Sequence, residues 1–555
     1  MDPSDSGGYS IYQSSRSGPT PIRRVTSDIH LEPRYLPLYA LYSLSRGVGA
    51  YGLSFVFTLL YGYAMARVAG AERILGPLLD ILQSIPVLGF LPGFVLGLVD
   101  LFPNSNLGLE LASVLMIFTG QVWNMTFAFQ ASLKAVPAEL VAVAHLARMS
   151  WWERFWRLDL AFAATGLLWN SMMSMAGGWF FLMVSEAFVL GEHDYRLPGL
   201  GSYMSLAIEQ GDGRAQAMGL FTMLVMIVAV DQGVWRPLVV WSHKFTEEES
   251  PRLSMPGFWR WVRRAPLGLL ASRQLSAMGH WLGGLAGFFS RIWQRRVPPL
   301  NLWTRSASPW VFRGLLGVVG VAAAVGCVRY VVLLERVTMQ QWVNLLQSTG
   351  ITFLRVISAV ALGSLWAIPA GVAIGQSPKA TRVLQPLIQL AASFPAPMIF
   401  PLVVAALISW GVGLGIGSIA LMVLGTQWYI LFNVIAGTGR IPRNLWEVSR
   451  LAAFTPWQRW RRLILPGIFP SLLSGWITAL GGAWNASIVA EYLRHQGQTL
   501  QTLGLGAAIS RATERGEFHL LAAGIGLMAV TVVGFNRIVW RRLERLARSK
   551  YSMES

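Results

Sequence analysis

GVGLGIGSIALMVL, residues 411–424, carries no charged side chain. A second long apolar run extends from Gly314 to Val332. A helix needs about twenty apolar residues to cross roughly 30 Å of hydrocarbon. Inside lipid every backbone polar group must find a partner within the segment, so such runs are helices. The rest of the 555-residue chain agrees: it is 54% hydrophobic and only 13% charged, with a mean hydropathy of +0.48. Soluble domains carry about 25% charged residues. The composition is that of an all-α integral membrane protein.

The net charge of +18 does not point to nucleic acid, because its arginines and lysines lie between apolar runs. The clusters from Arg236 to Arg305 and from Arg541 to Lys550 have the placement expected of cytoplasmic loops. The single cysteine, Cys327, lies in an apolar run, which excludes an intrachain disulfide and a cysteine-based metal site. No His or Cys cluster supports a metal centre, and no cofactor is expected. The N-terminus lacks a short apolar segment with a cleavage site. Residues 1–35, rich in Ser, Pro, Gly and Arg, are expected to be disordered.

The chain repeats itself. A constant shift of 305 pairs Gly120–Gly201 with Gly425–Gly506, including Trp123 with Trp428, Pro137 with Pro442, Trp152 with Trp457, Trp179 with Trp484 and Glu186 with Glu491. Gly199-Leu200-Gly201 recurs as Gly504-Leu505-Gly506. Upstream the shift is 309, pairing Arg46 with Arg355, Gly62 with Gly371, Pro77 with Pro386 and Pro86 with Pro395. Chance likeness between apolar helices does not hold one register across loops, so the chain is a tandem duplication. The first half has expected spans near 45–66, 76–101, 109–131, 160–182 and 215–235. In the second they fall near 310–333, 351–375, 385–409, 414–437, 466–488 and 519–540. This gives about 11 membrane helices, five plus six, in domains at 36–240 and 309–545. Between them runs a basic linker, 241–308, whose stretch Leu267–Phe289 suits an interfacial amphipathic helix. A true span there would put the two halves' polar loops on opposite faces.

Each half has one polar interruption at the matching place, residues 137–158 and 442–463. Six expected spans separate them, so both face the same side, and their arginines make that side cytoplasmic. Thr455-Pro456-Trp457-Gln458 has a capping residue, proline at the first helical position and Gln at the third, and Ser150-Trp151-Trp152-Glu153 is the matching box. Each interruption therefore reads as helix, tight turn, helix. A basic loop that merely anchors to headgroups is the plainer reading; two copies of the same turn chemistry favour docking.

The second copy resembles the EAA loop of ABC importer permeases, in which Glu-Ala-Ala is followed after three residues by Gly-Ala-Ser and then by a helix ending Leu-Pro. Glu447 matches the glutamate, Thr455 the serine and Leu465-Pro466 the closing pair, while Ala453 replaces the glycine. The first copy departs further, with Ala142 at the glutamate, Arg148 at the glycine and Ala161 at the proline. Arg355, Trp484 to Glu491 and Gly504-Leu505-Gly506 also resemble the nitrate, sulfonate and taurine permeases. The resemblance implies two tandem type I permease domains forming a translocation pathway, with two cytoplasmic ATPase subunits and a periplasmic or lipid-anchored substrate-binding protein as partners. It implies a small anion of the nitrate, sulfonate or taurine, or bicarbonate class as substrate. ATPase contacts are expected at Ala142, Arg148, Ser150, Trp152, Glu447, Arg450, Ala453, Thr455 and Trp457. No Gly-x-x-x-x-Gly-Lys-[Ser/Thr] phosphate loop occurs in the chain, so a partner must hydrolyse ATP.

Glu186 and Glu491, at the outer ends of matched spans, are candidates either for the pathway or for capping amides of the loop that follows. Pro86 and Pro395 head proline clusters that break one helix in each half; the break either exposes backbone to a substrate or serves packing alone. The rival function is an ion-coupled secondary transporter with an internal repeat, expected to carry more ionisable groups in mid-span and no matched docking loops.

Overall fold

The computed structural model describes residues 29–242, 321 and 324–550, apart from 69, 85, 103–104, 191–192 and 496–497. The first half runs α1 (Pro33–Arg67), α2 (Ala71–Ser84), α3 (Leu91–Leu101), α4 (Leu107–Lys134), α5 (Ala138–Leu146) and α6 (Trp151–Glu186). A hairpin of β1 (Val189–Leu190) and β2 (His193–Asp194) follows, then α7 (Leu200–Glu209) and α8 (Gly213–Val239). The second half repeats this order with α9 (Met339–Gly375), α10 (Pro378–Ser393), α11 (Ala396–Ser409), α12 (Leu414–Gly439), α13 (Arg443–Leu451) and α14 (Pro456–Ala490). Then come β3 (Tyr492–His495), β4 (Gln498–Gln501), α15 (Leu505–Glu514) and α16 (Phe518–Ala547).

Among the described residues eight helices are long and apolar enough to cross a membrane: α1, α4, α6, α8 and their counterparts α9, α12, α14 and α16. The expected spans near 76–101 and 385–409 are not single rods. α10 and α11 meet at an 84° bend, and α2 and α3 are separated by a short 3-10 turn, Val87–Phe90. Proline causes the break: it has no N–H to donate and forces the preceding residue out of the helical region. Phe394, just before Pro395, has ψ 127°. The expected span near 310–333 lies partly outside the described residues; residues 324–335 are helical. The expected disordered tail and interfacial linker helix lie almost wholly outside them.

α6 and α14 fix the vertical layout. Each starts at the polar interruption and runs unbroken to the hairpin; the 36 residues of α6 span about 54 Å at 1.5 Å per residue. Interruption and hairpin are therefore on opposite faces of the membrane. One-turn π segments fall at matched places in both halves, Phe155–Asp159 with Trp460–Ile464, and Asp231–Trp235 with Asn536–Trp540. α1 has a further one at Thr58–Gly62, whereas α9 is regular over all 37 residues. Trp179 and Trp484, at matched positions of α6 and α14, are both buried in the helix packing.

Candidate functional site

Two structures recur in both halves, a turn on the face of the polar interruptions and a buried ionic node at the hairpin, and a cavity lies between the halves.

The turn is built from backbone hydrogen bonds. At the end of α5, Met149 N donates to Ala144 O and Arg148 N to His145 O; at the end of α13, Phe454 N donates to Ser449 O and Ala453 N to Arg450 O. This is the Schellman pattern, which requires a left-handed residue after the helix. Arg148 has φ 49° and Ala453 φ 51°, so both occupy that position without being glycine. The glycine of the EAA pattern thus has a conformational reason that survives its replacement here. Both expected capping boxes form, with Ser150 bonding Glu153 and Thr455 bonding Gln458 reciprocally.

Ala144 and Ser449 turn inward and are buried. The opposite side is exposed and apolar at matched positions: Val143 with Val448, Leu146 (85% exposed) with Leu451 (87%), and Trp152 with Trp457. Ala142, Arg148, Glu447 and Arg450 are also exposed. Among the described residues Glu447 makes no hydrogen bond or ion pair. The residues expected to contact an ATPase are thus exposed in each half, apart from Ser150, which with Thr455 caps the turn.

Beside the first turn is a lock with no counterpart. Asp159, fully buried, has Arg67 Nη2 2.5 Å from Oδ1 and Arg154 Nε 3.5 Å from Oδ2, and Tyr63 donates its hydroxyl at 3.5 Å. This ties the end of α1 to the start of α6. The matching residue of the second half is Ile464, packed in the apolar core, and Arg67 is matched by Gln376. Sequence reasoning missed this site; its signal is an acid in one copy where the other has isoleucine.

The node explains the matched glutamates. Glu186 accepts from Ser43 Oγ at 2.8 Å, Arg46 Nη1 at 2.7 Å and Gly201 N at 2.8 Å. Glu491 accepts from Thr352 Oγ1 at 2.8 Å, Arg355 Nη1 at 3.0 Å and Gly506 N at 2.9 Å. Both carboxylates are fully buried, and both arginines also reach a loop carbonyl, Pro198 O or Leu503 O. Each glutamate therefore closes the N-terminus of the short helix after the hairpin. The Gly-Leu-Gly motif follows: a Cβ on Gly199 or Gly504 would lie 2.4 or 2.2 Å from the carboxylate Oε2. The copies differ in what else holds the arginine. Arg46 grips Glu110 with Nε and Nη2, whereas Arg355 Nε donates to Gly415 O, at the position the shift of 305 matches to Glu110.

Between the halves lies a cavity of roughly 300 Å³ lined by paired positions. Met183 and Ile488, Val184 and Val489, Phe188 and Leu493, Met204 and Ile509, Ser205 and Ser510, and Glu209 and Glu514 all face it. So do Leu88 with Pro397, Leu91 with Phe400 and Pro92 with Pro401, the residues just after the breaks at Pro86 and Pro395. Leu88 N donates to Asn485 Oδ1 of the other half. Glu186 and Glu491 do not line the cavity; they support the helices that do. The cavity was not anticipated from the sequence, although the register of the repeat contains its symmetry. Among the described residues no group of His, Cys, Asp and Glu could hold a metal ion.

The model of the family described as "Binding-protein-dependent transport system inner membrane component" matches residues 56–232 and again 359–545. The chain is similar to the taurine transport system permease protein TauC of Escherichia coli, 28% identical over 188 residues that cover 34% of this chain and 64% of that protein. It is also similar to the putative ABC transporter permease protein MJ0413 of Methanocaldococcus jannaschii, 29% identical over 38% of this chain and 73% of the relative. The nitrate import permease protein NrtB of Leptolyngbya laminosa is 26% identical over 32% and 64% respectively. The matched stretch is therefore less than two thirds of the taurine and nitrate proteins.

Proposed function

Because the chain belongs to the family of binding-protein-dependent transport inner membrane components, and carries its domain twice, we propose that one copy supplies the whole membrane pathway of an ATP-driven importer. Two ATPase subunits dock on the cytoplasmic face, one at each turn formed by α5 with the start of α6 and by α13 with the start of α14. A substrate-binding protein delivers cargo to the hairpin face, and the cavity between the halves is part of the route. The cargo is a small anion of the nitrate, sulfonate or taurine, or bicarbonate class, as the relatives' names suggest. The chain itself is a transport subunit and not an enzyme.

The observation that carries this reading is that the duplication extends to an exposed surface. Buried positions repeat for packing alone. Leu146 and Leu451, and Trp152 and Trp457, repeat while facing outward, and matched exposed apolar patches mark interaction sites. A pair of ATPases closing on each other offers two such equivalent seats. Glu447 adds a free carboxylate on one seat.

The test is the mass of the purified complex. One chain with two ATPase subunits is expected; two chains with four ATPases would overturn the proposal, because a single copy would then not be a complete pathway.

A further inference from the structure

The charged lining of the cavity breaks the symmetry of its walls. Glu209 and Glu514 end the matched helices α7 and α15, but their arginines come from unmatched places. Arg196 follows the first hairpin, whereas Arg494 stands within the second, where the first half has Val189. Arg494 Nη2 donates to Glu514 of its own half at 2.9 Å, and Nη1 to Glu209 of the other half at 3.3 Å. Glu209 also accepts from Arg196, and Glu514 from the Tyr492 hydroxyl. Alternating charges thus run Arg196, Glu209, Arg494, Glu514 across the cavity at its hairpin end. Parting the chain at its middle link leaves one neutral Arg–Glu pair on each half. No buried charge is orphaned, so the separation avoids the large penalty of breaking an isolated buried pair.

We propose that the Arg494–Glu209 pair is a reversible latch that holds the hairpin ends of the two halves together, and that the cavity opens to the hairpin face when this link parts. The inference rests on the reading of the cavity as a transport route. It differs from a packing role because only the crossing link, and not the Arg494–Glu514 link, constrains the opening.

The test uses the full chain with its ATPase subunits in proteoliposomes. Cys327→Ser removes the native thiol and Ser205→Cys places a reporter on the cavity wall. A membrane-impermeant maleimide is added from the hairpin face, and ATP hydrolysis is measured in each preparation to show that the complex is assembled. Without ATP, Glu209→Gln is expected to speed labelling about fivefold, the shift set by one partly exposed ion pair. Glu514→Gln is expected to leave the rate within about twofold, since the crossing link remains. Equal acceleration in both variants, or none in Glu209→Gln, overturns the latch. If ATP does not change labelling in the parent protein, the transport reading fails instead, whatever the two variants do.

Discussion

The two halves solve the same backbone problems with different side chains, and the difference separates what the fold demands from what each copy does. Both keep a buried Glu–Arg node, a left-handed residue after α5 or α13, and a capping box. These satisfy helix ends that would otherwise leave polar groups unpaired. Around them the copies diverge. The first holds Arg46 with a second carboxylate, Glu110, and locks α1 to α6 through Asp159. The second uses backbone oxygen and isoleucine at those places, and offers the exposed Glu447. The half with the additional internal ion pairs is the one that lacks a carboxylate at the position of Glu447.

The strongest challenge to this contrast is at the node. Glu491→Ala leaves Arg355 buried with only neutral partners, at a cost of about 3–5 kcal/mol. Glu186→Ala should cost less, because Arg46 retains Glu110. Thermal unfolding in detergent measures both; equal losses would show that the second carboxylate contributes nothing. Next comes the lock. Asp159→Ala strands Arg67 and Arg154 and should cost about 3 kcal/mol, while Ile464→Val at the matching site should cost about 1 kcal/mol. If Asp159→Ala is the milder of the two, the lock is ornamental.

The two capped turns give a functional comparison. A charge-assisted bond is worth roughly 1.5–3 kcal/mol, tenfold to a hundredfold in a coupling equilibrium. Glu447→Ala is expected to lower transport and ATPase co-purification on that scale with the membrane fold intact, and Ala142→Ser to do little. Transport rate at equal membrane levels decides it: equal, mild effects would remove the asymmetry. The smallest effect is at the turn itself. Ala453→Gly relieves a left-handed conformation that costs about 1–2 kcal/mol against an entropy loss of about 0.5–1 kcal/mol. A net gain of about 0.5–1 kcal/mol is expected, read as a higher Tm, and a lower Tm would contradict the conformational reading of that site.

Local features were legible before the structure. The capping boxes at Ser150 and Thr455 and the proline breaks at Pro86 and Pro395 depend on residues near in sequence, and the repeat on residue identity alone. What was not legible depends on distance along the chain. Glu186 could be read as a cap or as part of a pathway, because its partners Ser43 and Arg46 lie 143 and 140 residues away. Asp159 lay unnoticed inside a basic segment, since Arg67 is 92 residues off. The prolines mark where the spans near 76–101 and 385–409 break, but hydropathy sums along a segment and gives no angle for the bend of 84° between α10 and α11. The cavity needed both halves placed face to face before paired positions became paired walls.

The unbroken course of α6 and α14 has a mechanical consequence. Each is a stiff strut clamped at one end by a capped turn and at the other by a buried carboxylate that grips the hairpin and the short helix after it. Over about 54 Å, a tilt of about 5° sweeps the far end by about 4–5 Å, close to one helical turn. That stroke is longer than any bond in the charge chain at the hairpin end. A tilt of that size started at the capped turn therefore arrives there as a displacement large enough to pull such a contact apart.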